Sequence, residues 1–383
     1  MAVIIDNHKR IPFLRGMLTH YLIEHGFTFE EAYEVADSVR SALSKHDEIS
    51  REDTLKSIRR SVADLYGDRR FGDGVFWEPG EKEILVEDDQ GRRPFSRARL
   101  SHSLTITGVD DSRAYKIAED MLSKFRQDGQ YIVTVDAIRK AALKQLRATG
   151  GKAVAERYKC WHEFRNADPP KSIVILLGGT SGVGKTSVGV ALANILKISR
   201  VASTDEIRQV MRLMISPELM PTLHQSSYAA WESFPASSVD GVEGVDPLIP
   251  AFHEQANRVC VGVRATIERT IEEGASLIVD GVHLLPDLMD LKPYKGKATF
   301  VLANLYIADI KMYRERFKKR GQKASQRPEH RYLRYMKEIQ KLQHHILEMG
   351  EANKIQAIEN TDFDETIQNL SLHIIDTLRK AAK

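Results

Sequence analysis

The sequence predicts an α/β protein: a doubly wound parallel sheet in the C-terminal part, preceded by two mostly α-helical modules that carry short β-hairpins. Three observations predict it. Apolar runs alternate with helical patterns from Ser172 onward, the arrangement that buries a parallel sheet between two helical layers. A glycine-rich loop, Gly178 to Gly184, joins the first apolar run to the first helical pattern. Upstream, Pro12-Phe13-Leu14-Arg15 recurs 82 positions later as Pro94-Phe95-Ser96-Arg97, which marks a duplicated module.

Composition narrows the class. A chain of 383 residues suits roughly two or three domains. The net charge of +3 is too small to demand a polyanionic partner, and the basic residues are spread out, which disfavours nucleic acid. The two cysteines, Cys160 and Cys260, lie far apart with no metal-ligand spacing around them, as in a protein from a reducing compartment. The N-terminus meets Asp6 after only four apolar residues, so it is not a signal peptide. No apolar run approaches the ~18 residues a membrane span needs. The expectation is a cytoplasmic protein without a membrane partner.

The repeat holds without gaps. Leu18 matches Leu100, His20 matches His102, Gly26 matches Gly108, and Ala32-Tyr33 matches Ala114-Tyr115. Each copy opens with apolar runs around a polar turn, Val3 to Arg10 and Ile84 to Arg93, with Asp89-Gln90-Gly91 as the second turn; this reads as a hairpin. A helix then starts near Phe13 or Phe95. A second carries Ala32, Val35, Ala36 and Val39, or Ala114, Ile117, Ala118 and Met121, at helical spacing. A third spans Arg51 to Leu65 or Thr134 to Leu146. Tyr66 to Gly80 reads as the loop between copies, and Asn166 to Pro170 as a linker, because two prolines end the preceding helix. The expected division is 1–82, 83–165 and 166–383, and the modules offer a surface for homo-oligomer formation.

In the third part, Ile173 to Leu177 is an unbroken apolar run, which suits a strand covered on both faces. Further strands are expected at Arg200–Ser203, Ser276–Asp280, Thr299–Ile307 and Ile355–Ile358, and a long helix at Phe252–Glu273. Gly179 to Thr186 fits G-x-x-x-x-G-K-[ST], a phosphate-binding loop between strand and helix. Glycines let successive N–H groups point inward, and the following helix N-terminus adds partial positive charge. The fold is therefore of the P-loop NTPase type, with ATP and Mg²⁺ as the expected cofactors. Candidate nucleotide contacts are Gly179, Thr180, Ser181, Gly182, Val183, Gly184, Lys185, Thr186 and Ser187, with Asn360 at the end of the fifth strand for adenine.

The remaining candidates lie after the other strands. Asp205 can activate an attacking hydroxyl or cap its helix. Arg208 and Arg212 can hold an anionic acceptor. Asp280 with Thr186 is the expected Mg²⁺ pair, Gly281 allows close approach to a ligand, and His283 is a substrate contact or a structural residue. Asp309 to Arg331 is a basic stretch like a closing lid, with Arg320 the first candidate for the transition state, then Arg316, then Arg327. Between Met211 and Phe252 an insertion supplies His224, Ser227 and Tyr228 as polar acceptor contacts, with a capped helix near Ser226 and a turn-rich, mobile stretch from Asp240 to Pro250.

The second copy, LVEDDQGRRPFSRARLSHSLTITGVDDSRAYKIA, resembles the ATP-cone, a nucleotide-sensing module. That resemblance implies phosphate contacts at Arg92, Arg93, Arg97 and Arg99, and in the first copy at Lys9, Arg10 and Arg15; degenerate cones that only pack are the alternative. Residues 172–362 resemble the 2-phosphoglycerate kinase family through GGTSGVGKTS, VASTDEIRQVMR, ISPELMPTLHQSSYAAW, IVDGVHLLP and IEN. The resemblance implies an ATP-dependent kinase acting on a small phosphorylated acceptor, 2-phosphoglycerate. A polyol of the inositol type, or a nucleotide sensor without catalysis, are the competing readings.

Overall fold

The computed structural model describes residues 2–6, 9–25, 27–44, 46–67, 83–88, 91–168, 170–234, 246–323 and 329–382. The chain divides into two compact units, Met1–Ile84 and Leu85–Lys383. The expected loop from Tyr66 to Gly80 falls almost wholly outside the described residues, as do Arg327 and most of the stretch from Asp240 to Pro250.

The first unit is the first repeat. Strands β1 (Val3–Asp6) and β2 (Lys9–Pro12) form the expected hairpin, followed by helices α1 (Arg15–Glu24) and α2 (Phe29–Leu43). Strand β3 (Glu48–Ser50) then pairs parallel with β1, and α3 (Arg51–Tyr66) closes the module. Thr28 and Glu31 form a reciprocal capping box at α2, which satisfies two of the otherwise unpaired donors of its first turn. Leu18, Leu22, Ala32, Val35, Ala36, Val39 and Ile58 make one core. This is the apolar face that the helical spacing of α2 marked out.

The second unit begins with the same plan: β4 (Leu85–Asp88), β5 (Gly91–Pro94), α4 (Arg97–Thr105), α5 (Asp111–Gln127), β6 (Ile132–Thr134) and α6 (Val135–Thr149). Both small sheets have the same order, with the first hairpin strand in the middle. The three-residue strands β3 and β6 were not expected. An additional helix, α7 (Gly151–Arg165), follows the second copy. Its Trp161 joins the buried core that includes Ile173 of the parallel sheet.

That sheet holds β7 (Ser172–Gly178), β8 (Arg200–Ser203), β9 (Leu277–Asp280), β10 (Ala298–Tyr306) and β11 (Gln356–Glu359). All five are parallel, in the order β11-β10-β7-β9-β8. The helices are α8 (Lys185–Leu196), α9 (Thr204–Met214), α10 (Leu248–Glu272), α11 (Ile310–Lys323), α12 (Glu329–Arg334), α13 (Met336–Ala352) and α14 (Phe363–Ala381). Ile173, Ile175 and Leu177 share one core with α8 and α14. Val174 and Leu176 point into the other with α10. The unbroken apolar run of β7 follows from this two-sided burial. In place of a capped α-helix near Ser226, the insertion forms two short 3₁₀ segments, Pro221–His224 and Ser227–Ser233. No described helix is long and apolar enough to cross a membrane.

Candidate active site

The sheet order reverses at β7, and such a reversal opens a crevice at the carboxyl ends of the strands. The register aligns those ends: Leu177 of β7 lies beside Asp280 of β9, which lies beside Ser203 of β8. The phosphate loop, the acid of β9 and the first turn of α9 therefore emerge at one edge.

The loop is held from outside its own sequence. Gly182 takes φ +88°, and a Cβ there would meet the Phe317 ring at 2.5 Å; glycine is needed both for backbone and for space. Tyr313 of α11 contacts the Thr180 hydroxyl at 2.7 Å and donates to the Ser181 carbonyl at 2.6 Å. Tyr313 and Phe317 stack at 5.2 Å between ring centres, and Phe317 stacks on Tyr332 at 4.6 Å. The stretch expected as a lid thus also forms part of the loop's foundation. The Lys185 ammonium donates to the Thr180 carbonyl at 2.7 Å, closing the loop on itself. Gly179, Val183 and Gly184 lie in the loop and Ser187 in the first turn of α8.

The Thr186 hydroxyl donates to Asp280 Oδ2 at 2.5 Å. Asp280 Oδ1 is buried and has no hydrogen-bond partner among the described residues. Burial raises the Asp280 pKa, and the Asp205 charge raises it further; the Thr186 bond and the Lys185 charge oppose this. A buried, under-satisfied carboxylate oxygen beside a hydroxyl suits Mg²⁺, which prefers one or two protein oxygens with phosphate and water completing the shell. Thr186 and Asp280 would hold the ion.

Asp205 stands at the mouth with a side chain 69% exposed, its Oδ1 3.6 Å from Arg208 Nε. The cap of α9 is supplied by Ser203, whose hydroxyl accepts from the Asp205 N–H at 3.2 Å. Capping therefore does not occupy the Asp205 carboxylate.

Several expected contacts serve structure instead. His283 has no exposed surface; Nδ1 meets the Thr204 hydroxyl at 2.8 Å and Nε2 meets Gln255 Oε1 at 3.0 Å. Both nitrogens are used, so it is not a substrate contact. Asn360 is not placed for adenine: its side chain is buried, donating to the Val183 carbonyl at 2.7 Å and accepting from Thr366 at 3.1 Å. It braces the phosphate loop. Gly281 makes room for protein rather than ligand, since a Cβ there would lie 1.8 Å from Thr204 Oγ1. Tyr228 and Ser227 are both buried, and Tyr228 packs 5.3 Å from Tyr335 and 5.9 Å from Tyr332. They shape the wall more than they present polar groups. His224 Nε2 is used by the Ile215 carbonyl at 2.8 Å.

The arginines divide as well. Arg208 donates to the carbonyls of Leu223 at 2.9 Å and Gln225 at 3.0 Å, tying α9 to the insertion. Arg212 donates to Gln209 at 3.1 Å. Arg316 donates to the carbonyls of Asn360 and Thr361, beside the loop tip at Gly184. Arg320 lies on α11, with its side chain outside the described residues. Sequence reasoning missed Gln255 and Tyr313, which no motif marks, and it offered Thr204 only as a possible cap of its helix; the buried polar contacts of all three identify their roles.

Among the arginines of the repeats, Arg93, which also pairs with Asp88, and Arg99 line a cavity of about 450 Å³ with Arg139, Arg165 and Lys197. Arg92 instead pairs with Glu87 at 2.9 Å, Arg97 with Glu119 at 3.4 Å, Arg15 with Asp37 at 3.2 Å, and Arg10 with Glu48 at 2.5 Å. The Lys9 side chain lies outside the described residues.

Comparison with known proteins agrees with this geometry. An ATP cone domain model matches residues 85–167, the second repeat with α7, and an AAA domain model matches residues 175–337. The 2-phosphoglycerate kinase of Pyrococcus furiosus is 35% identical over 297 residues, 77% of this chain and 93% of that protein. That of Pyrococcus horikoshii is 34% identical over 287 residues, covering 75% and 91%. That of Methanopyrus kandleri is 32% identical over 305 residues, covering 79% and 90%. The protein is a phosphotransferase that works with ATP and Mg²⁺. Relatedness of this extent, over most of both chains, places it in the 2-phosphoglycerate kinase family.

Proposed function

We propose that the protein transfers the γ-phosphoryl group of ATP to the 3-hydroxyl of 2-phosphoglycerate, giving 2,3-bisphosphoglycerate and ADP. The observation that carries the reaction type is the Thr186–Asp280 bond beside the unpartnered Asp280 Oδ1, on the same sheet edge as Asp205. Mg²⁺, when bound there, neutralises charge on the β- and γ-phosphates. Lys185 binds those phosphates, and Arg320 of α11 joins it in neutralising the group in transfer. Asp205 takes the proton of the acceptor hydroxyl, for which its exposure and nearness to Asp280 suit it. Arg212, with the part of Arg208 not committed to carbonyls, meets the acceptor's carboxylate and phosphate. The identity of the acceptor is supported by the names of the relatives.

The test is product formation from ATP, Mg²⁺ and a panel of 2-phosphoglycerate, 3-phosphoglycerate, glycerate and myo-inositol. Turnover confined to 2-phosphoglycerate, with 2,3-bisphosphoglycerate as product, is expected. Turnover confined to another member keeps the kinase and discards this acceptor. Lys185→Ala should lower kcat by at least about 100-fold, the scale of removing one preorganised charge contact; near-full activity would refute the mechanism.

A further inference from the structure

Behind the acid edge runs a buried polar chain that neither phosphate binding nor proton transfer uses. Thr204, His283 and Gln255 are each 0% exposed. The direction of every hydrogen bond in the chain follows from its two ends. Gln255 Nε2 faces the carbonyls of Thr222 and Gln225, which can only accept. Its Oε1 is thereby left to His283, so His283 Nε2 must carry the hydrogen and donate, at 3.0 Å. Nδ1 then holds a lone pair and accepts from the Thr204 hydroxyl at 2.8 Å. Burial pushes the His283 pKa down to about 4, which keeps the ring neutral and this tautomer in place at neutral pH.

The chain joins two elements that the sequence keeps apart. At one end is the 221–228 stretch of the insertion, on the acceptor side. At the other is Thr204, the residue before Asp205. The Gln225 carbonyl is shared by Gln255 at 3.1 Å and by Arg208 of α9 at 3.0 Å, so the insertion is held from both helices. The His283 loop is itself pinned, with the Cys260 thiol donating to the His283 carbonyl at 3.1 Å. The closeness of Gly281 to Thr204 brings the end of β9 against α9. Each member of such a chain, once unpaired, leaves a buried polar group with no replacement.

We propose that Thr204, His283 and Gln255 are positioning residues: they lock the acceptor-side segment to the first turn of α9, and so set where the acceptor hydroxyl meets Asp205. The inference takes its acceptor from the functional reading above, but the lock itself does not depend on it. Thr204→Val removes the hydroxyl at constant shape, Thr204→Ser keeps it, and Gln255→Leu breaks the opposite end. Thr204→Val and Gln255→Leu should each lower kcat/KM for 2-phosphoglycerate by about 10- to 100-fold, while the ATP dissociation constant stays within about threefold. Thr204→Ser should recover most of the loss. Equal loss in Thr204→Ser and Thr204→Val, or a fall in ATP affinity as large as the fall in kcat/KM, would overturn the proposal. Amide hydrogen exchange gives the second readout: both disrupting variants should speed exchange in residues 204–206 and 221–228 together. Faster exchange confined to one of the two segments would overturn the lock. If Gln255→Leu does not fold, the Thr204 pair decides alone. If wild-type enzyme does not turn over 2-phosphoglycerate, the functional reading fails, and hydrogen exchange still decides the lock.

Discussion

Arg15 in the first repeat and Arg97 in the second stand at matching positions, and their surroundings match too. Arg15 pairs with Asp37 at 3.2 Å and lies 4.3 Å over Tyr33; Arg97 pairs with Glu119 at 3.4 Å and lies 5.6 Å over Tyr115. The duplication has preserved a staple between the first two helices of each module. The copies part at their ends. The first closes with α3 and keeps a core of its own. The second runs on into α7, whose Trp161 belongs to the same buried core as Ile173 of the parallel sheet. The helix α7 and Ile106, at the end of α4, bring the second copy into the core of the catalytic unit. The matched arginines behave alike, since Arg10 and Arg15 in the first copy and Arg92 and Arg97 in the second all face carboxylates. What the second copy adds is a cavity lined by Arg99, Arg139, Arg165 and Lys197.

The sharpest way to break this comparison is to remove the joint. Trp161→Ala deletes a side chain only 4% exposed. It should destabilise the second unit by about 3–5 kcal/mol, the usual cost of truncating a buried aromatic, and lower the temperature at which kinase activity is lost. A melt in which activity and unfolding stay at wild-type temperatures would show that α7 does not tie the second repeat to the sheet. The matched experiment is Leu18→Ala in the first repeat, where the side chain is 0% exposed. It should cost about 2–5 kcal/mol within the first unit and leave kcat within about twofold, because that core contains no residue of the catalytic sheet. A comparable loss of kcat would join the units functionally.

Acid should separate the copies next. His162 on α7 has its pKa lowered to about 4 by burial, with help from Arg139 and Arg165, and His283 is lowered to about 4 by burial. A lowered histidine pKa means the unfolded chain binds the proton more tightly. The stability it contributes is complete above the ordinary value near 6.5 and is lost as pH falls toward 4. Each could remove up to about 3 kcal/mol across that window, from the second unit. Chemical denaturation at pH 7 and pH 5 would check it, and an unchanged midpoint for the second unit at pH 5 would contradict it. The smallest effect belongs to the staple. Arg15→Ala and Arg97→Ala should each cost no more than about 1 kcal/mol, since both ion pairs are partly exposed. A clearly larger loss at Arg97 alone would mean that the copies use the residue differently.

Much of this architecture was written in local pattern. The hairpin and helix order of each copy followed from turn residues and helical spacing, and β7, the phosphate loop and Asp280 followed from an apolar run, a motif and a strand end. These signals lie within a few residues of one another, so the chain carries them without help from the fold. The strands β3 and β6 did not show, because three residues are too few to carry a period and their pairing with β1 and β4 is supplied from a distance.

The roles of polar side chains were decided only in three dimensions. Asn360 braces a carbonyl 177 positions away, and His283 is satisfied at one nitrogen by Gln255, 28 positions back, and at the other by Thr204, 79 back. An Asn or His at a strand end looks the same in sequence whether its donors face a ligand or another part of the chain. Which it is depends on what packs against it, because a buried polar group is costly unless the fold supplies a partner, as it does for Asn360 and His283 and, among the described residues, does not for Asp280 Oδ1. The sequence by itself determined the reaction class and the edge of the sheet where it occurs. Tertiary packing decided which residues at that edge are left for substrate and which hold the others in place.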